Sequence, residues 1–276
     1  MPSYATLQAM DNRPIGFLDS GIGGLSIARE VHRLLPAESL LYVADSAHFP
    51  YGDIEPIKLC DLTASLAEYL LERGAKLIVV ACNTATVYAL AHLRAAFPGV
   101  PFVGVVPVVK TLAERTRCGT IGLLSTPNTV RSAYLADLIE RFAAGKRVIN
   151  VPCDGLADVV ESGNIAGPDC ERLLRACLEP VVSGGADVVG LGCTHYPFLR
   201  PSIEALLGER ARVYDSSIPV ALRVQSVLRG AGALSDLAAP SHQFFTTRDP
   251  EHFSRVIAPL PGVPAHTIAY ADVRYR

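Results

Sequence analysis

The chain has 276 residues, half of them hydrophobic, with a formal net charge of −2 and seven cysteines. That length allows a large core or two domains of ordinary size. The near-neutral charge gives no sign of a nucleic-acid or anionic-membrane surface, and no apolar run nears the roughly 20 residues of a membrane span.

Residues 1–13 lack the basic-then-apolar order of a signal peptide and read as a flexible leader. An odd cysteine count without CxxC pairs fits a reducing, cytoplasmic setting better than a disulfide framework. Residues 15–18 form a short apolar strand, followed by Asp19-Ser20-Gly21-Ile22-Gly23-Gly24 and a helix to about residue 35. A strand over 40–44 leads into a turn-rich loop, Asp45 to Gly52, and a helix over 57–73 stops at Gly74. Leu77-Ile78-Val79-Val80-Ala81 reads as a buried parallel strand ending on Cys82, with Asn83-Thr84 suited to open a helix that runs to about residue 97. Residues 102–105 are a fourth strand, and Pro107 fits the first turn of the next helix.

The pattern then restarts. Strands are expected at 120–124, 147–151, ending at Cys193, and at 212–214. Helices are expected from the first of these strands to about 144, at 154–162 and 168–182, and to about 207. Pro219 fits a further helix start; residues 231–240 form a linker to a strand at 242–246 and a short helix opened by Asp249-Pro250. Residues 74–84 and 185–195 match position by position, placing Cys82 and Cys193 at equivalent strand ends 111 residues apart. Residues 121–124 likewise echo 15–18 at an offset of 106. Strand–helix alternation predicts an α/β fold of two pseudo-symmetric domains, each a mainly parallel sheet flanked by helices. The boundaries fall at 1–104 plus 218–276 and at 105–217. Ligands in such sheets sit beyond the carboxyl ends of the strands, so both cysteines can face one interdomain cleft.

A thiol at a strand end that opens a helix meets unpaired N–H groups and a positive dipole end, which favour the thiolate. The other cysteines, at 60, 118, 153, 170 and 177, read as core thiols. His195 stands two residues from Cys193 and can tune it. The glycine-rich loop after Asp19 resembles a phosphate loop, but it lacks a third GxGxxG glycine and any GKS or GKT ending, and its aspartate repels phosphate. Its N–H groups suit a carboxylate. Residues 51–52 and 125–129 are further strand-end loops of use to a ligand. Cys193-x-His195 is too short for a metal site, and none of the four lysines sits at a strand end where a pyridoxal cofactor needs one. No cofactor and no metal are expected.

Together, Asp19–Gly24, Pro50-Tyr51-Gly52, Ala81-Cys82-Asn83-Thr84 and Leu191-Gly192-Cys193-Thr194-His195-Tyr196-Pro197 resemble the motifs of the glutamate racemase family, within the aspartate/glutamate racemase superfamily. The resemblance runs from about residue 15 to about 261. It implies cofactor-independent racemisation of L- and D-glutamate, with D-glutamate destined for peptidoglycan. It also implies that Cys82 takes the proton from D-glutamate and Cys193 from L-glutamate. Asp19 is implied as the acidic partner of the first thiol, and His195 and Glu161 as those of the second. Asp19, Ser20, Pro50, Tyr51, Gly52, Asn83, Thr84, Thr126, Thr129, Thr194 and His195 are implied to hold substrate. The partner expected is the small molecule alone, without nucleic acid or membrane, and a homodimer is a candidate assembly. An aspartate racemase, a cysteine hydrolase using Cys193 and His195, and a non-catalytic amino-acid-binding protein are the alternatives.

Overall fold

A computed structural model describes residues 10–106 and 108–275. Among the described residues, ten strands form two sheets. The first contains β1 (Ile15–Asp19), β2 (Leu40–Ala44), β3 (Leu77–Val80), β4 (Phe102–Gly104), β9 (His242–Thr246) and β10 (Thr267–Tyr270), in the order β10-β9-β2-β1-β3-β4. The second contains β5 (Thr120–Ser125), β6 (Arg147–Pro152), β7 (Val188–Gly192) and β8 (Arg212–Tyr214), in the order β6-β5-β7-β8. Every pairing is parallel.

The repeat legible in the sequence is a repeat of topology. The order β2-β1-β3-β4 in one sheet recurs as β6-β5-β7-β8 in the other. Register recurs as well: Ile15 pairs with Leu77 and Leu18 with Val80, as Ile121 pairs with Val188 and Leu124 with Leu191.

The helices are α1 (Leu25–Leu34), α2 (Pro56–Glu72), α3 (Asn83–Ala96), α4 (Val109–Arg115), α5 (Pro127–Arg131), α6 (Ala133–Phe142), α7 (Leu156–Glu161), α8 (Pro168–Ser183), α9 (Arg200–Leu207), α10 (Ser217–Gly230) and α11 (Pro250–Ile257). Because side chains alternate along a strand, each fully buried strand feeds two cores. Ile15, Phe17, Tyr42, Leu77 and Val79 pack with Leu25, Val31, Val220 and Val224 of α1 and α10. Leu18, Val43, Ile78 and Val80 pack with Leu66, Leu70, Ala85 and Leu93 of α2 and α3. The first of these cores continues through Leu124, Val189 and Leu191 to α8 and α9, so the two halves share a hydrophobic spine.

Several local expectations change. The helix predicted to run to residue 144 is broken at Ser132, whose hydroxyl caps a new start at the Leu135 N–H. Strand β10 was not expected: it is a short, largely exposed edge strand without an apolar run. Pro107 and residues 1–9 lie outside the described residues. Residues 11–13 are anchored: the Lys76 ammonium donates to the carbonyls of Asp11 and Ala233 and pairs with Glu38 at 2.7 Å, both side chains 1% exposed. Removing either partner of so buried a pair costs about 3–5 kcal/mol. Among the described residues, no helix is long and apolar enough to cross a membrane.

Candidate active site

Asp19 ends β1, Cys82 follows β3, Thr126 follows β5 and Cys193 follows β7. All four therefore lie at carboxyl strand ends, where parallel sheets bind ligands. Between the sheets is a narrow cavity of about 50 Å³ lined by both thiols. Ser20, Pro50, Tyr51, Gly52, Asn83, Thr84, Thr126, Thr194 and His195 complete most of its wall. Three of the expected residues stand one layer behind: Asp19, Thr129 and Glu161. Cys153 lines the cavity too, while Cys118, expected in the core, is exposed.

The two thiols are held differently. Cys82 is the N-cap of α3, its Sγ accepting the Ala85 N–H at 3.5 Å. Burial, then the nearby Asp19 charge, pushes its thiol well above the ordinary range, and the Ala85 N–H offsets only part of this. Asp19 is itself fully buried, and burial lifts its carboxyl to about 6. Its oxygens accept the Ser20 N–H at 2.6 Å, the Gly24 N–H and the Thr194 hydroxyl at 3.5 Å. Asp19 thus touches the second half of the site as well as the first.

Cys193 does not open a helix, contrary to expectation. A 3₁₀ turn, Tyr196–Leu199, follows it, and α9 begins only at Arg200. In place of a helix end it has an imidazole: Cys193 Sγ lies 3.6 Å from His195 Nδ1, and His195 Nε2 lies 2.6 Å from Glu161 Oε1. Burial alone would depress this histidine. Its contacts with Cys193 and Glu161 outweigh burial and hold its pKa well above the usual value. A protonated His195 donates from both nitrogens, one toward sulfur and one toward carboxylate.

The glycine-rich loop acquires a physical reason here. The N–H groups expected to hold a ligand carboxylate hold protein carboxylates instead: Ser20 and Gly24 donate to Asp19, and Ile22 donates to Glu161 Oε1 at 2.6 Å. A Cβ on Gly21 would strike the Glu161 carboxyl, and one on Gly23 would strike the His195 ring and the Thr194 hydroxyl, at 2.7 Å from its Oγ1. The glycines let the acid–base pair of the second half press against the backbone of the first.

The residues expected to hold substrate have distinct surroundings. Thr84 and Thr126 hydroxyls meet at 3.3 Å across the halves, and Thr126 and Thr129 at 2.9 Å. The Asn83 amide nitrogen is buried at the first turn of α3 with no hydrogen-bond partner among the described residues, a donor open to a ligand. Tyr51 gives its hydroxyl to Asp45 at 2.7 Å, so it shapes its loop from behind.

The Asp/Glu/Hydantoin racemase family model matches residues 15–223. A glutamate racemase of Roseiflexus sp. (strain RS-1) is 47% identical over 247 residues, covering 89% of this chain and 91% of that protein. One from Pseudomonas aeruginosa is 41% identical over 256 residues, covering 93% and 97%. The chain belongs to the glutamate racemase family. It is an isomerase of the amino-acid racemase class. A glutamate racemase isoform from Bacillus anthracis superposes with a TM-score of 0.86 at 31% identity, covering 96% of this chain and 100% of that one. The Escherichia coli glutamate racemase, in complex with L-glutamate and the activator UDP-MurNAc-ala, superposes at 0.85 and 31%, covering 95% and 99%.

Sequence reasoning passed over several residues of this cavity's wall, Asp53, Asp154, Gly155, Ala157 and Asp158 as well as Phe49. Phe49 lines the cavity, with its ring centroid 5.5 Å from that of His195. Its position directly before Pro50-Tyr51-Gly52 was the available signal.

Proposed function

We propose that the protein interconverts L- and D-glutamate by two-base proton transfer between Cys82 and Cys193, supplying D-glutamate for peptidoglycan synthesis in the cytoplasm. The observation that carries this reading is two thiols on one narrow cavity, each approached from a different half and each with its own acid–base support. Inversion at carbon needs a base on one face and an acid on the other. Cys82, kept protonated by burial and by Asp19, suits the acid. Cys193, beside an imidazolium backed by Glu161, suits the base. This pairing is poised for L-glutamate, and the exchanged pairing for D-glutamate. The Asn83 amide, the Thr84–Thr126 pair and the N–H groups opening α3 are donors for the substrate carboxylates. The relatives' names and the L-glutamate complex of the E. coli relative support glutamate as the substrate.

The test is circular dichroism of purified protein with L- or D-glutamate and no added cofactor, with aspartate as the comparison. The expected result is decay of the glutamate signal to zero from either enantiomer, with aspartate much slower. A stable glutamate signal contradicts the proposal.

A further inference from the structure

A second, larger cleft lies against the catalytic cavity. It has a volume of about 370 Å³ and is lined by Glu161, Ile22, Arg248, Asp249 and His252 among others. Among the described residues, Phe49 is the one that lines both spaces. The other barrier between them is the ion pair itself, with Glu161 on the outer side and His195 on the inner side at 2.6 Å. The Phe49 ring tilts 50° to the imidazole at a centroid distance of 5.5 Å. His195 is 2% exposed although the outer cleft beside its partner carries Arg248, Asp249 and His252.

We infer that Phe49 is a positioning residue for the Cys193 half of the site: its ring keeps water of the outer cleft off the His195 imidazole, on the inner side of the pair, and holds that ring in line with Cys193. The inference rests on the racemase reading above. The physical reason is twofold. A charge-assisted pair weakens when water competes for its donors and raises the local dielectric. An imidazole with an open face can also tilt, and a displacement of about 1 Å in an acid–base group costs up to about 100-fold in rate. Cys82 has no such dependence, because its support is the backbone N–H of Ala85 and the buried Asp19.

The experiment compares wild type with Phe49→Ala and Phe49→Leu. One readout is independent of activity: the ratio of iodoacetamide labelling at Cys193 to that at Cys82, measured by peptide mass spectrometry. Phe49→Ala should raise this ratio about 10-fold and lower kcat about 10-fold with KM changed less than about twofold, while Phe49→Leu restores most of both. An unchanged labelling ratio in Phe49→Ala overturns the inference. So does an equal rise at both thiols accompanied by a lower melting temperature, which marks general loosening. If wild type fails to racemise glutamate, the racemase reading fails, and the labelling ratio still decides whether Phe49 is the wall.

Discussion

The two thiol half-sites share one strand–turn pattern and differ in what supports each sulfur. Cys82 caps an α-helix, whereas Cys193 lies three residues ahead of a 3₁₀ turn. The first is supported by a backbone N–H and a fully buried carboxylate whose pKa is raised to about 6. The second is supported by an imidazole and a carboxylate donated from α7. Topological duplication therefore supplies two thiols facing one cavity, and local divergence gives each a different way of holding its proton. Identical supports would leave the protonation state of the empty site undecided between the two.

The largest expected effect comes from removing either sulfur. Cys82→Ala and Cys193→Ala should each lower racemisation by about 10⁴-fold or more while far-UV circular dichroism stays native. Full activity in Cys82→Ala would instead point to chemistry confined to Cys193 and His195.

Gly23→Ala tests the contact between halves. Its new methyl would displace His195 and Thr194, so kcat should fall about 100-fold, with the Cys82 side left in place. Activity within twofold of wild type would show that the loop accommodates a side chain and that the close approach is incidental.

Smaller and more discriminating are Asp19→Asn, His195→Asn and Glu161→Gln. If each support serves its own thiol, the first should slow kcat in one direction more than in the other, and the last two should show the opposite bias, each by about 10-fold. The enantiomers have equal free energy, so KM must shift in compensation and kcat/KM stays equal in the two directions. Equal kcat losses in both directions for all three variants would dissolve the distinction between half-sites.

The smallest effect is in the pH dependence. Asp19 binds its proton more tightly in the fold than when unfolded, rising from 3.8 to about 6. Its contribution therefore lowers folding stability as pH rises from about 3.8 to about 6 and is constant above. Activity runs the other way: kcat/KM should fall as pH drops through about 6, where the carboxylate near Cys82 is neutralised, and Asp19→Asn should lose that inflection. An inflection near 6 that survives in Asp19→Asn would assign it to another group.

Much of this was legible beforehand because it was written in local patterns. The matched runs at 74–84 and 185–195 predicted equivalent strands, and they occupy equivalent places and registers in the two sheets. What escaped depended on residues distant in sequence. Asp19-Ser20-Gly21-Ile22-Gly23-Gly24 reads as a ligand-binding loop, yet Gly21 and Gly23 make room for Glu161 and His195, about 140 to 170 residues away. Ser132 sits inside an apolar periodic stretch, where nothing local distinguishes a cap from a helix interior. The turn after Cys193 looked like its helical counterpart because Thr194-His195 aligns with Asn83-Thr84 and Pro197 is common in a first helical turn. Phe49 looked like one more loop residue; only the fold sets it against the imidazole.

The central claim is that the proton removed by one thiol is not the proton delivered by the other. The most direct measurement starts from pure L-glutamate in deuterated water and analyses the separated enantiomers at early times by NMR or mass spectrometry. With independent thiols on opposite faces, the delivering sulfur carries a proton already exchanged with solvent. Nearly every newly formed D-glutamate should then hold deuterium at the α-carbon, and the remaining L-glutamate should stay largely protiated. Substantial protium in that early D-glutamate, after correction for residual light water, would mean that one group carries the hydrogen across, and would contradict the assignment of separate roles to Cys82 and Cys193.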